Sequence, residues 1–187
     1  MQWLELEQIP NVQDVLAEYK MAKFAPGTEV RFSDSLYVRV EQRKHGFRVF
    51  VFDRNSSTPV GLVKFYHPKK GVLESSKRGL TTLEGLFGGT LFTPHTTLAE
   101  AYQNQGIASA IYRWFLDDGN SFVSWDAQTK GGNILWRSLA RFYPVFMLNM
   151  TPWGDKVAIM DRPRNKWNTR MLMLGKGVSL PQELEER

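Results

Sequence analysis

The chain has 187 residues, a formal charge of +5, a pI near 9.5, 42% apolar and 13% aromatic residues. That suffices for one domain with a real core and excludes a disordered chain, while the absence of cysteine excludes disulfides, thiolate metal sites and a cysteine nucleophile. No run of about twenty apolar residues suggests a membrane span, and the acidic start Met1–Glu7 lacks the basic and apolar regions of a signal peptide. The expectation is therefore a cytoplasmic protein without membrane contact, a single domain over 1–187 with 1–35 and 175–187 peripheral. A moderate positive charge suits an anionic ligand or a nucleic acid.

Taken in order, Gln2–Gln8 alternates and allows a short edge strand,. Asn11 can cap a helix through Tyr19, with Val12, Val15, Leu16 and Tyr19 on one face,. Pro26-Gly27 marks a turn,. Leu36–Glu41, Phe47–Phe52 and Val60–Tyr66 read as three strands of an antiparallel meander, joined by turns at Lys44-His45-Gly46 and Asn55–Pro59,. Residues 67–94 are rich in Gly and Pro and read as a long connection, either a substrate-facing loop or a surface excursion.

Thr96–Ala101 reads as a strand, Gln103–Gln105 as a polar turn, and Gly106–Asp117 as an amphipathic helix with Ile107, Ile111, Trp114 and Phe115 on its face,. A tight turn feeding a helix leaves backbone N–H groups pointing one way, which is an anion site favoured by the helix dipole. Ser121–Asp126 reads as the next strand, and a strand–helix–strand crossover implies a parallel pair,. Gln128–Asn133 reads as a polar turn and Ile134–Phe142 as a second helix, with Leu135, Leu139 and Phe142 inward. Short strands are expected at Val145–Leu148, Lys156–Met160 and Met171–Leu174, with a basic stretch at Arg162–Arg170 and a charged tail at Gln182–Arg187.

Gln103-Asn104-Gln105-Gly106-Ile107-Ala108 resembles the acyl-CoA signature Gln/Arg-x-x-Gly-x-Gly/Ala of the GCN5-related N-acetyltransferases. The resemblance spans roughly residues 36 to 148 and is strongest over 96 to 142. The stretch Asp126–Trp136 also looks like a variant in bacteriophage-type members. The resemblance implies an α/β (α+β) fold: a mixed sheet with an N-terminal antiparallel meander and a splayed parallel strand pair, flanked by helices. It implies acetyl-CoA, or another acyl-CoA, as co-substrate, no metal, and direct transfer to an amine of a protein, a small molecule or an aminoacyl-tRNA.

Residue by residue, the resemblance assigns the pantetheine and thioester contact to the Leu98 backbone, and the start of the signature to Gln103. It gives the pyrophosphate to the amides of Gln105, Gly106, Ile107, Ala108 and Ser109, and a further cofactor contact to Asn133, which could equally be a helix N-cap. The family's frequent acid, a tyrosine on the last helix, would fall near Ala140. Tyr143 is the substitute, or an aromatic packed under Pro144. For the base, Glu100 on the splayed strand, Asp126 at the neighbouring strand end and His95 are candidates. Each also reads as an ordinary strand-end, cap or loop residue. Two other functions remain open: a binding or structural module on this fold without catalysis, and a nucleic-acid-binding or base-modifying protein using the basic Arg162–Arg170 stretch.

Overall fold

The computed structural model describes residues 12–68, 87–124, 129–150, 157–161 and 171–180. The expected strand at 2–8, the Asn11 cap, most of the 67–94 connection, Asp126, the basic 162–170 stretch and the 182–187 tail lie outside them. The described elements make a mixed α+β protein. In chain order they are α1 (Val12–Lys20), β1 (Glu29–Arg31), β2 (Leu36–Arg43), β3 (Gly46–Asp53), β4 (Pro59–Tyr66), β5 (Leu91–Leu98), α2 (Ile107–Asp117), β6 (Ser121–Val123), α3 (Lys130–Leu139), β7 (Val145–Met150), β8 (Val157–Asp161) and β9 (Met171–Met173). The chain divides into two compact units, residues 1–64 with 95–105, and residues 65–94 with 106–187.

In the first unit the strands run in the order β1-β2-β3-β4-β5. β2 and β3 form the expected hairpin, antiparallel from Leu36↔Asp53 to Arg43↔Gly46. Gly46 closes it at φ +134°, a conformation other residues resist. The exposed edge strand β1 is not evident in the sequence. It pairs antiparallel with β2, and its three residues are too few to show a period. Val15 of α1 is buried against Phe50, Phe52 and Leu62, with Tyr19, Ala22, Phe24 and Tyr37 packed around them. Tyr19 meets Phe52 edge-on at 5.3 Å and Tyr37 stacks on Phe52 at 4.9 Å.

A charged chain ties α1 to this sheet. Glu18 pairs with Lys64 and, at 3.4 Å, with Arg48. Arg48 stands 3.5 Å from Glu41, which is 2% exposed and accepts from the Lys23 backbone N–H at 2.9 Å. A carboxylate buried this deeply needs such partners, because desolvation otherwise removes its charge.

In the second unit the order is β5-β6-β9-β7-β8, with β5 entering through residues 91–94. β5 and β6 are the parallel pair, and β9 is antiparallel to both β6 and β7. α2 buries Ile107, Ile111, Tyr112, Phe115 and Leu116. Phe115 stacks on Phe65 at 3.9 Å, and Phe65 stacks on Phe122 of β6 at 5.4 Å. Trp114, expected inward, sits half-buried at the rim of this arc. α2 ends at Gly119 (φ +82°). Gly119 N–H donates to Leu116 C=O at 3.1 Å and Asn120 N–H to Phe115 C=O at 3.2 Å, the paired bonds of a Schellman cap.

After β9, Leu174 is buried in the core and the described residues up to 180 run beside it. Val178 and Leu180 pack on the cluster of Phe87, Leu91, Val123, Leu148, Leu172 and Leu174. Buried Ser121 accepts from Gly175 N–H at 3.2 Å and buried Ser124 from Met171 N–H at 2.8 Å. A Cβ on Gly175 would run into the Asn120 carbonyl. The glycine is there for close backbone approach, not for a turn.

Candidate functional site

The strand before the signature is Leu91–Leu98, five residues earlier than the expected Thr96–Ala101. Pro94, a turn signal by sequence, lies buried inside the strand instead. That position explains where the parallel pairing stops. Ser121 N–H donates to Thr90 C=O at 2.8 Å, so residues 90, 92 and 94 turn their backbone groups toward β6, since direction alternates along a strand. The register runs Leu91↔Ser121 and Phe92↔Phe122 and goes no further. The next rung would be residue 94 N–H to Val123 C=O, and proline has no N–H to give. The Val123 carbonyl thus faces β5 without a donor from it.

In the first unit, β5 ends at Leu98, and the Ala99 N–H makes a last bond to Val60 C=O on β4 at 2.9 Å. By alternation Leu98 turns its backbone groups away from β4. Its carbonyl accepts from the Gln103 side-chain amide at 3.0 Å, and among the described residues no hydrogen bond is recorded for the Leu98 N–H on that side. Gly61 makes this arrangement possible. A Cβ there would collide with the Leu98 side chain and approach the Thr97 carbonyl to 3.0 Å. The sequence signal for it is a glycine inside a strand run, which marks close approach.

Glu100 is not on the strand. The chain curls into a 3-10 turn, Glu100–Tyr102, with Tyr102 N–H on Ala99 C=O at 2.8 Å, and Glu100 is exposed. The misplacement follows from starting the strand too late. Tyr102 anchors the turn through a 3.0 Å hydrogen bond to Asp53, and that bond raises the phenol above its ordinary range. Gln105 folds back to Ala101 C=O at 2.6 Å. His95 is a half-buried residue of β5, not a loop residue ahead of the strand.

In the second unit, Gly106 is the N-cap of α2, with φ +78° and no side-chain cap. The first intrahelical bond is Ala110 N–H to Gly106 C=O at 2.9 Å. The amides of Ile107, Ala108 and Ser109 therefore have no carbonyl of the helix to bond. A Cβ on Gly106 would meet nothing within 4 Å. Backbone conformation, not crowding, requires the glycine. This is the geometry of an anion site.

α3 begins four residues before the expected Ile134. Thr129 caps it, its hydroxyl accepting from Gly132 N–H at 3.1 Å. Gly131-Gly132, a turn by sequence, lies within the first helical turn because the threonine cap outweighs their poor propensity. Asn133 is thus a half-buried residue of the first turn and not the cap. Trp136 is buried with Leu139, whereas Phe142, expected inward, is 61% exposed. Tyr143 is 8% exposed and donates to Asp117 Oδ1 at 2.9 Å. Burial first, then that hydrogen bond, push its pKa up to about 12. The Ala140 position, near which the resemblance put the acid, carries no proton donor.

Among the described residues no group of His, Cys, Asp or Glu is placed to hold a metal ion, and no helix is long and apolar enough to cross a membrane. No family model matches the chain, and no curated protein matches it. Solved structures similar to the chain include RimL, a ribosomal L7/L12 alpha-N-protein acetyltransferase in complex with coenzyme A. It is 12% identical, with a TM-score of 0.44, over 78% of this chain and 96% of that one. Another is a ribosomal-protein-S5-alanine acetyltransferase from Vibrio fischeri, 12% identical, with a TM-score of 0.39, over 74% of this chain and 63% of that one. At these identities and TM-scores the likenesses are similarities only, and the functional reading stands on the local geometry.

Proposed function

We propose that the chain is an acyl-CoA-dependent N-acyltransferase, with acetyl-CoA as the co-substrate. The observation that carries this reading is in the second unit: a parallel strand pair whose ladder ends at Pro94, together with an uncapped α2 N-terminus. The donors and acceptors fit the group. Bound, acetyl-CoA supplies a thioester as the activated acyl donor. The amides of Gln105 and of Gly106 to Ser109 would hold its pyrophosphate. The Val123 carbonyl, to which Pro94 gives no N–H, would accept from an amide of the pantetheine arm. The resemblance gives the thioester contact to the Leu98 backbone, whose N–H would stabilise negative charge developing on an acyl carbonyl.

The attacking amine must lose a proton. Glu100, His95 and Asp126 are the groups proposed for this step, and the pH dependence of turnover in Glu100→Gln and His95→Gln separates the first two. The acceptor amine belongs to a protein, a small molecule or an aminoacyl-tRNA, and the protein acceptors named for the two similar structures make a protein amine the first to try. The proposal is tested by thermal melting with acetyl-CoA, CoA and ATP. A raised Tm with the first two, growing with concentration, is expected because a ligand of the native state stabilises it. No shift with any acyl-CoA overturns the reading. Binding without transfer to any amine would favour a catalytically silent binding module.

A further inference from the structure

We infer that the outer face of α3 is a binding surface for single-stranded nucleic acid. This rests on no part of the acyl-transfer reading. Lys130, Ile134, Arg137 and Arg141 recur every three to four residues, and all four are exposed. That spacing puts them in one stripe. Arg141 continues it past the helix end, because Ala140 N–H still bonds Trp136 C=O at 2.9 Å and Tyr143 N–H bonds Leu139 C=O at 3.1 Å. From Thr129 to Pro144 the chain carries these three cations and no carboxylate. The opposite face is committed to the interior through Trp136 and Leu139. The eleven steps from Lys130 to Arg141 rise about 16 Å, so the cations form a line along which a polyanion can lie.

A second observation adds stacking to charge. Phe142, at the end of the stripe, is 61% exposed. The Arg113 guanidinium of α2 lies over its ring at 4.1 Å. Arg113 Nε is buried without a hydrogen-bond partner. Asp117, one turn on, accepts from Tyr143, and no ion pair of Arg113 occurs among the described residues. The ring is therefore held beside a cation that has no ion pair among the described residues. A fixed aromatic face beside positive charge is what an unstacked base and its phosphates need. An acidic peptide would have no use for the ring. A lipid surface would need a continuous apolar face, and here Arg137 and Arg141 separate Ile134 from Phe142.

The test is fluorescence anisotropy of the full chain with labelled oligo(U) RNA and oligo(dT) DNA across a salt series. Binding is expected with log affinity falling linearly with log salt. Lys130→Ala with Arg141→Ala should weaken it at least tenfold and lower the salt slope by about 1.4, roughly 0.7 for each phosphate no longer neutralised. Phe142→Ala should weaken it about tenfold with the slope unchanged. Arg141→Lys should keep the slope. The RNA and DNA arms show which polymer is preferred. Lys130 and Arg141 are exposed, so their variants should melt with the unaltered protein. Phe142→Ala gives up the Arg113 contact and should melt slightly lower. The acetyl-CoA response should match in all of them, which separates this test from that of acyl transfer. The inference is overturned by no binding of either oligonucleotide, by binding indifferent to these substitutions, or by equal competition from polyglutamate or phosphatidylserine vesicles.

Discussion

Two helices of the second unit begin in opposite ways. α3 starts with Thr129, whose hydroxyl takes the Gly132 N–H. α2 starts with Gly106 in a left-handed conformation and no side-chain cap. A serine or threonine cap is worth about 1 kcal/mol to a helix, so α2 does without stabilisation that α3 has. Its amphipathic face, buried through Ile107, Ile111, Tyr112, Phe115 and Leu116, keeps it folded regardless. A helix held by packing can leave its first turn open, and open amides at a positive dipole end attract an anion from outside the chain. α3 has satisfied its own end and offers its outer face instead.

The strongest way to break this contrast is to put a negative charge into the open turn. Ser109 is the third residue of α2, where an acidic side chain favours the helix by a few tenths of a kcal/mol. Ser109→Glu should therefore leave the melting temperature unchanged or raise it. The same charge would face the pyrophosphate, and the loss of charge-assisted hydrogen bonds worth about 1.5–3 kcal/mol corresponds to a ten- to hundredfold fall in acetyl-CoA affinity by calorimetry. Unchanged affinity would move the anion site away from α2.

Pro94 offers the next largest effect. Pro94→Ala restores an N–H facing the Val123 carbonyl and lets the parallel ladder run one rung further. The new hydrogen bond, worth about 1 kcal/mol, and the gain in unfolded-chain entropy nearly offset each other in stability. Affinity for acetyl-CoA should fall about tenfold, and the new amide should resist hydrogen exchange in the free protein. A freely exchanging amide at 94 would show that proline is not what ends the ladder.

Thr129→Ala sharpens the comparison from the other side. It should cost about 1 kcal/mol, a fall of roughly 2–4 °C in melting temperature for a chain of this size. Acetyl-CoA affinity should change little, because the proposed anion site lies at the start of α2 and not of α3. A large loss would point to Asn133, in the first turn of α3, as a cofactor contact.

The contrast also marks what the sequence could say. The α2 turn is legible because it is local: a glycine with polar residues before it and helical spacing after it. The meander is legible because aromatic and β-branched runs alternate with short turns. Two errors of sequence reasoning share one cause. Pro94 and Gly131-Gly132 look like punctuation, yet a strand with one unneeded donor and a helix with a strong cap accommodate them. The burial of Phe142 is misjudged because Trp136, one residue off the expected stripe, fills the inward position. The role of Gly61 and Gly175 depends on residues distant in sequence, Leu98 and Asn120, which periodicity does not reveal.

Tyr143 tests the end of α3 and carries the smallest effect. Its hydroxyl donates to Asp117 and keeps its proton to about pH 12, which suits a tie between α2 and the segment after α3 better than an acid that must release its proton near neutrality. The folded pKa lies above the ordinary value near 10, so the stabilisation is whole below pH 10 and is lost as pH rises through about 12. Tyr143→Phe should lower stability by about 1 kcal/mol at neutral pH. Asp117 is exposed, so water replaces the lost donor and no buried charge is stranded. The gap between the two proteins should close as pH climbs from 10 toward 12, followed by denaturant midpoint. If Tyr143 supplied the proton to the departing thiolate, the same substitution would lower turnover about a hundredfold or more while leaving acetyl-CoA affinity intact. With the hydroxyl committed to Asp117, turnover should survive and only the midpoint should move.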